Sequence, residues 1–424
     1  MKIKNIHAIE ILDSRGIPTV STEIEMWSGD KAKGEVPSGA STGENEVVEI
    51  RDGDENRYNG NGVLKAVEIV NTVIKDAVVD KEFLSQKEFD DFLIQLDGTK
   101  NKSKLGGNSI LSCSMAFCRA SAQRVGLELY QYLGMIYWDK EYTEDKFKLP
   151  RPLILLLEGG KHGNWSTDIQ EYMVIPKENA FPDFRESLRA GSEIFHALHE
   201  ILDEKGYSVG VGFEGAYIPK ELSGNKESLD IMIEGIEKAG YKPGTDFEIA
   251  LDFAASEFFD KKSGKYTLKK ENRSLTPMEW YEVQKQWYSE YPIYSAEDMF
   301  EQNGWNSWSL LTNDLGNSLQ IVGDDLLVTN TERIQKGINE KAMNAVLIKL
   351  NQIGTVTETL NAIRMTVDNG MDAIISHRGG ETNDSFIADL IVGTPAQQCK
   401  FGGPDRGERL AKYNRLLEIE DSIA

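Results

Sequence analysis

A chain of 424 residues with 69 acidic against 47 basic side chains carries a net charge of −22, which repels phosphate backbones and anionic lipid, so nucleic acid and membrane are not expected partners. Hydrophobic residues at 40% and charged residues at 27% provide for a sizeable core and exclude global disorder. The length calls for two domains, or one large barrel with an attachment.

The chain opens with M-K-I-K-N-I-H-A-I-E, which has no continuous apolar segment of the kind a secretion signal needs, so a cytoplasmic protein is expected. Apolar alternation over Ile3–Leu12 and Thr19–Trp27, on either side of S-R-G-I-P, predicts two strands and a turn. The small residues of V-P-S-G-A-S-T-G-E-N-E then predict a loop. Helical spacing takes over at Val63, Ala66, Val67, Val70, Val73 and Ile74, and again over Ile110–Ala122. Cys113 and Cys118 lie on the second helix and read as packing; with Cys399 they show no CxxC spacing, so neither a disulfide framework nor a zinc site is expected. This first part reads as an α+β unit, residues 1–138, with a mobile loop at 36–45.

Residues 139–424 have a different rhythm, β then α. The longest apolar run, Leu153–Leu157, is far too short to span a bilayer. Short apolar runs end in Asp252, Glu297, Asp324, Lys349, His377 and Lys400, at successive separations of 45, 27, 25, 28 and 23 residues. A βα unit of an eight-stranded barrel takes roughly 30 residues, and barrel enzymes carry their chemistry where the strands end. The expected fold is therefore α/β: an eight-stranded, TIM-like β/α barrel behind a smaller α+β domain.

Singly, Asp252, Glu297 and Asp324 would be ordinary helix caps or loop acids. Three carboxylates on neighbouring strand ends repel one another unless a hard, oxygen-seeking cation joins them, and with no cysteine nearby Mg²⁺ is the natural choice. Lys349 follows V-L-I onto the same face, where neighbouring cations would depress its pKa and fit it to act as a base; an ion pair with one of the acids is its alternative role. In A-I-I-S-H-R-G-G-E-T, His377 and Arg378 precede two glycines. Arg378 can grip a phosphate or carboxylate in a fork, Lys400 adds a point charge, and backbone N–H groups at the glycines can approach an anion closely. His162, in E-G-G-K-H-G-N-W, also follows an apolar run. His196 and His199 lack the order of a metalloprotease motif and are left as surface or core residues.

At this point the residues resemble the enolases almost end to end, through I-L-D-S-R-G-I-P-T-V, V-P-S-G-A-S-T-G-E, L-D-G-T-K-N-K-S-K-L-G-G-N, D-I-Q-E-Y-M, A-L-D-F-A-A-S-E-F, I-V-G-D-D-L-L-V-T-N, L-I-K-L-N-Q-I-G and A-K-Y-N-R. The resemblance implies a cytoplasmic, Mg²⁺-dependent lyase of glycolysis that interconverts 2-phospho-D-glycerate with phosphoenolpyruvate and water, in a homodimer or dimer-based oligomer. It implies that Asp252, Glu297 and Asp324 hold one Mg²⁺, and that Ser41 of the mobile loop ligates a second once substrate arrives. It further implies Lys349 as the base at C2, Glu214 as the acid at C3 and Glu171 as its partner. His162, Ser41, His377, Arg378, Gly379 and Lys400 match substrate-binding positions.

Departures from the family cluster on the acid side. Gly379 stands for a serine, Phe213 for an aspartate beside Glu214, Glu158 for an asparagine, Gly163 for an alanine and Ala216 for a glycine. They leave two alternatives open: a relative acting on another phosphorylated or phosphonylated acid, and a non-catalytic enolase-like protein.

Overall fold

The computed structural model describes residues 1–39 and 45–423. An antiparallel meander of β1 (Ile3–Leu12), β2 (Pro18–Met26) and β3 (Lys31–Glu35) opens the chain. The turn between the first two strands is held by Asp13, whose Oδ1 accepts the N–H groups of Arg15 and Ile17 at 2.8 and 3.0 Å, with Gly16 at φ +73°. β3 was not legible, because K-A-K-G-E offers a single apolar residue, Ala32, to mark a buried face. Its Gly34 lies directly on the helix Gly107–Val125, where a Cβ would come within 2.4 Å of the Ser112 carbonyl oxygen. That helix, expected over Ile110–Ala122, ends at Gly126, which takes the left-handed conformation.

The expected helix after Gly62 runs Leu64–Ile69, widens into a π-turn at Val70–Ile74, and closes at Lys75–Val78. The widened turn carries Asn71, whose amide accepts from Ala8 N–H at 2.8 Å and donates to Ala8 C=O at 2.9 Å, tying the helix to β1. Ile6, Ala8, Val20 and Ile24 of the sheet pack with Val70, Phe89, Ile110 and Phe117 into one apolar cluster.

The barrel begins with β4 (Arg151–Glu158), β5 (Glu171–Pro176) and β6 (Phe247–Asp252). A small antiparallel sheet follows, of β7 (Phe259–Asp260), β8 (Lys265–Leu268) and β9 (Arg273–Leu275). The barrel then continues with β10 (Ile293–Glu297), β11 (Gln320–Gly323), β12 (Ala345–Ile348), β13 (Asp372–Ser376) and β14 (Gln398–Lys400). Its closed order is β10-β11-β12-β13-β14-β4-β5-β6. β5 is antiparallel to both neighbours, while the other pairings are parallel.

Period-two alternation sorts the strand side chains into two sets. Leu153, Leu155, Met173, Ile175, Ala250, Val322, Ala345, Leu347 and Ile374 form a cluster of their own. Ile154, Val174, Ile249, Leu251, Ile321, Val346, Ile348 and Ile375 join the larger cluster beneath the helices. The inner set leads two residues further, at the mouth, to Asp252, Asp324 and Lys349, and two residues back along the reversed β5 to Glu171. Among the described residues no helix is long and apolar enough to cross a membrane.

Candidate active site

Each barrel strand delivers at least one ionisable side chain to the same mouth. β4, β5, β6, β10 and β11 bring Glu158, Glu171, Asp252, Glu297 and Asp324, and the register sets Glu158 opposite Glu171, Glu171 opposite Asp252, and Asp252 opposite Glu297. β12, β13 and β14 bring Lys349, His377 with Arg378, and Lys400. An acidic arc of five strands thus faces a basic arc of three.

The two arcs are joined by buried ion pairs. Lys400 Nζ lies 3.0 Å from Asp252 Oδ2, 2.8 Å from Glu297 Oε2 and 3.1 Å from Glu171 Oε2. Lys349 Nζ lies 2.5 Å from Asp324 Oδ2. Two amides complete the ring, Gln352 on Asp324 Oδ1 at 2.9 Å and Gln170 on Asp252 Oδ2 at 3.3 Å. Among the described residues, ligand atoms within 4.8 Å of one another occur in His162, Glu171 and Glu214, and in Asp298, Asp324 and Asp325. Asp252, Glu297 and Asp324 do not form such a set; Lys400 bridges Asp252 and Glu297, and Lys349 pairs with Asp324.

Electrostatics follow from this packing. Burial, then the charge of Asp252, pushes Glu297 well above the usual carboxylate range, and Lys400 only partly offsets them. Burial alone would raise Asp324 too, but Lys349 outweighs it and holds that carboxyl low. The expected depression of Lys349 is not what the structure has. Burial, Arg378 and Lys400 do lower it, yet Asp324 prevails and leaves it raised. Among the described residues Glu297 Oε1 is buried without a hydrogen-bond partner. Three all-oxygen donors on adjacent strands, one with an oxygen unspent, fit a hard divalent cation.

On the basic side, Arg378 is held by Asn351 Oδ1 at 3.1 Å and by Glu46 Oε2 at 3.0 Å. Glu46 belongs to the N-terminal domain, and sequence reasoning missed it because nothing local distinguishes it from a solvated acid. Gly379 is buried, and its carbonyl accepts from Arg409 Nη2 at 2.7 Å. The same guanidinium donates to His377 Nδ1 at 2.7 Å and to the Arg378 carbonyl at 2.7 Å. His377 Nδ1 is therefore an acceptor, its proton sits on Nε2, and burial with Arg409 keeps its pKa well below the ordinary value. Arg409 was also missed; it lies on the helix Gly407–Ile423, after β14 and closing no apolar run.

His162 Nδ1 lies 2.9 Å from Glu214 Oε2. Burial opposes charge on both, but their mutual attraction raises His162 and holds Glu214 well below the carboxylate range. Burial pushes Glu171 up to about 8 against the pull of Lys400. Ser41, expected to ligate a metal and contact substrate, lies outside the described residues, as do residues 40–44 of the loop expected to be mobile. The chain leading into that loop is anchored: Ser38 and Gly380 exchange backbone hydrogen bonds of 2.8 and 2.9 Å beside Gly379.

Two family models cover nearly the whole chain, the enolase N-terminal domain over residues 3–133 and the enolase C-terminal TIM barrel domain over 146–424. The chain belongs to the enolase family. It is also 49% identical to Enolase 1 of Chlorobaculum tepidum over all 424 residues, 100% of this chain and 96% of that protein.

Against the other enolases this chain's departures acquire local reasons. Glu158 does not point a free charge at His162. Its Oε1 accepts the N–H groups of Glu214 and Ala216, both at 3.0 Å. Gly163 is demanded by space, since a Cβ there would lie 2.2 Å from the Glu158 carbonyl oxygen. The Phe213 ring sits 5.2 Å from the His162 ring, and its carbonyl accepts from Arg409 at 2.9 Å.

Proposed function

We propose that the protein is a phosphopyruvate hydratase, interconverting 2-phospho-D-glycerate with phosphoenolpyruvate and water in glycolysis. One observation carries this reading: β12 and β5 are four places apart in the closed ring of eight, so Lys349 and Glu171 stand on opposite sides of one mouth. That arrangement lets one side take a proton from C2 while the other, where Glu171 lies within 4.8 Å of Glu214, assists the hydroxide leaving C3.

Lys349 takes the C2 proton. Arg378 and Lys400 oppose its ammonium form and Asp324 favours it, so its proton affinity is set by how much of the Asp324 charge is spent elsewhere. Asp252, Glu297 and Asp324 would hold one Mg²⁺, and Ser41 would join a second when substrate binds. The metal, when bound, supplies positive charge opposite the carboxylate that becomes doubly negative as C2 loses its proton. Glu171, raised to about 8, and His162 hold the proton, and the ionised Glu214 within 4.8 Å of both relays it to the departing C3 hydroxide, which leaves as water. Arg378, the Gly379 backbone, His377 and Lys400 orient phosphate and carboxylate, and the loop of residues 36–45 excludes water.

The same reading divides the chain at residue 138 and makes the protein a cytoplasmic homodimer or dimer-based oligomer. The test is direct. Purified protein with Mg²⁺ forms phosphoenolpyruvate from 2-phospho-D-glycerate, and Lys349→Ala abolishes the signal; a wild-type protein without turnover at millimolar substrate contradicts the proposal.

A further inference from the structure

Glu158 is buried to 1% exposure at the end of β4, where a shift of register between Leu155 and Leu157 turns both Leu156 and Leu157 into the outer cluster and returns the next side chain to the mouth. Its carboxyl lies flat against Gly212, where a Cβ would meet its atoms at 2.1 to 2.8 Å. One oxygen takes both the Glu214 and the Ala216 N–H.

The turn formed by residues 212–216 is gripped elsewhere as well. Gly212 N–H donates to Ala216 C=O at 2.8 Å, Gly403 N–H to Glu214 C=O at 2.8 Å, and Arg409 to Phe213 C=O at 2.9 Å. From that fixed turn the Glu214 side chain reaches His162.

We propose that Glu158 is a positioning residue for the acid side: by receiving two backbone N–H groups on one oxygen it fixes the direction in which Glu214 leaves the chain. This rests on the reading of Glu214 as the acid. A second buried carboxylate beside Glu214 is tolerable because Glu158 is held in its neutral form. Burial and the Glu214 charge push it well above the usual range, against the backbone bond from Ala216 and the more distant Arg409, with Glu171 adding to the rise. The neutral acid accepts at Oε1, which leaves its proton to Oε2, an atom with no hydrogen-bond partner among the described residues. An amide has the same shape and the same acceptor.

The test compares wild type, Glu158→Gln and Glu158→Ala in D₂O with Mg²⁺ and 2-phospho-D-glycerate, reading phosphoenolpyruvate formation and hydrogen exchange at C2 separately. Glu158→Ala should lower dehydration at least about thirtyfold while exchange and KM stay within about threefold, and Glu158→Gln should stay within about threefold throughout, since misplacing a general acid forfeits much of its typical contribution. Undiminished dehydration in Glu158→Ala overturns the proposal, as does an equal fall in exchange and dehydration, which would mark a merely structural role.

A wild-type protein that forms no phosphoenolpyruvate would sink the hydratase reading alone. The His162 titration, followed by NMR, then decides for Glu158: a lower His162 pKa in Glu158→Ala supports the positioning role, and an unchanged one overturns it.

Discussion

Lys349 and Glu171 leave the barrel wall from diametrically opposed strands, one after the parallel β12 and the other at the start of the reversed β5. The reversal of β5 is what makes this possible. In a wholly parallel barrel the first residue of a strand lies at the floor, whereas here it lies in register with Asp252 at the mouth. Base and acid groups thereby face each other across a ring whose remaining members bind metal and anion.

Within the acidic arc Glu297 stands between Asp252 and Asp324 on the strands to either side. Its unpartnered Oε1 should be spent on the cation. Glu297→Gln keeps the acceptor that meets Lys400 but removes the charge. Calorimetric Mg²⁺ affinity is expected to fall at least about tenfold, since loss of even an outer partner of a metal ligand costs 10–100-fold. Unchanged affinity would place the metal elsewhere.

Arg409 is fully buried and spans His377, Arg378, Phe213 and Gly379, so it joins the anion seat to the Glu214 turn. Arg409→Met fills the space but strips three carbonyls of their donor. The expected loss is about 3 kcal/mol or more in urea unfolding, because each buried acceptor left unpaired costs roughly 1–3 kcal/mol. Substrate KM should rise as well, and a variant of unaltered stability and KM would contradict this role.

Asp90 sits at the contact between the domains, accepting from Thr357 N–H at 2.9 Å and from Gln86 Nε2 at 3.0 Å. Burial pushes its carboxyl from 3.8 to about 6. A raised acid contributes stability that is complete below its unfolded pKa and lost as pH rises through the folded value. The loss is about 2 kcal/mol between pH 4 and 7. Asp90→Asn, whose amide can meet the unpartnered Gln86 Oε1, should remove most of that slope. Parallel urea midpoints for both proteins from pH 4 to 8 would contradict it.

Asp252, Glu297, Asp324, Lys349, His377 and Lys400 were legible in the sequence because each closes an apolar run on a strand that points at the mouth. The long first interval of 45 residues, which a regular barrel does not explain, is the insertion of β7, β8 and β9. Glu171 opens its strand instead of closing it, so the rule that found the others passes it by, and only the family resemblance pointed to it. Glu158 was visible as the end of L-L-L-E. Its partners are backbone groups 56 and 58 residues away, and nothing in the local sequence reports them. Arg409 and Glu46 reach the site from a terminal helix and from the other domain, through contacts that exist only once the chain has folded.

The most direct measurement separates the two sides of the ring. In D₂O with Mg²⁺ and 2-phospho-D-glycerate, Lys349→Ala should lose both C2 hydrogen exchange and dehydration by about 10²-fold or more, while Glu214→Gln should lose dehydration to a similar degree and keep exchange near the wild-type rate. Persistent exchange in Lys349→Ala, or its loss in Glu214→Gln with Lys349 intact, would contradict a base and an acid acting independently from opposite sides of the ring.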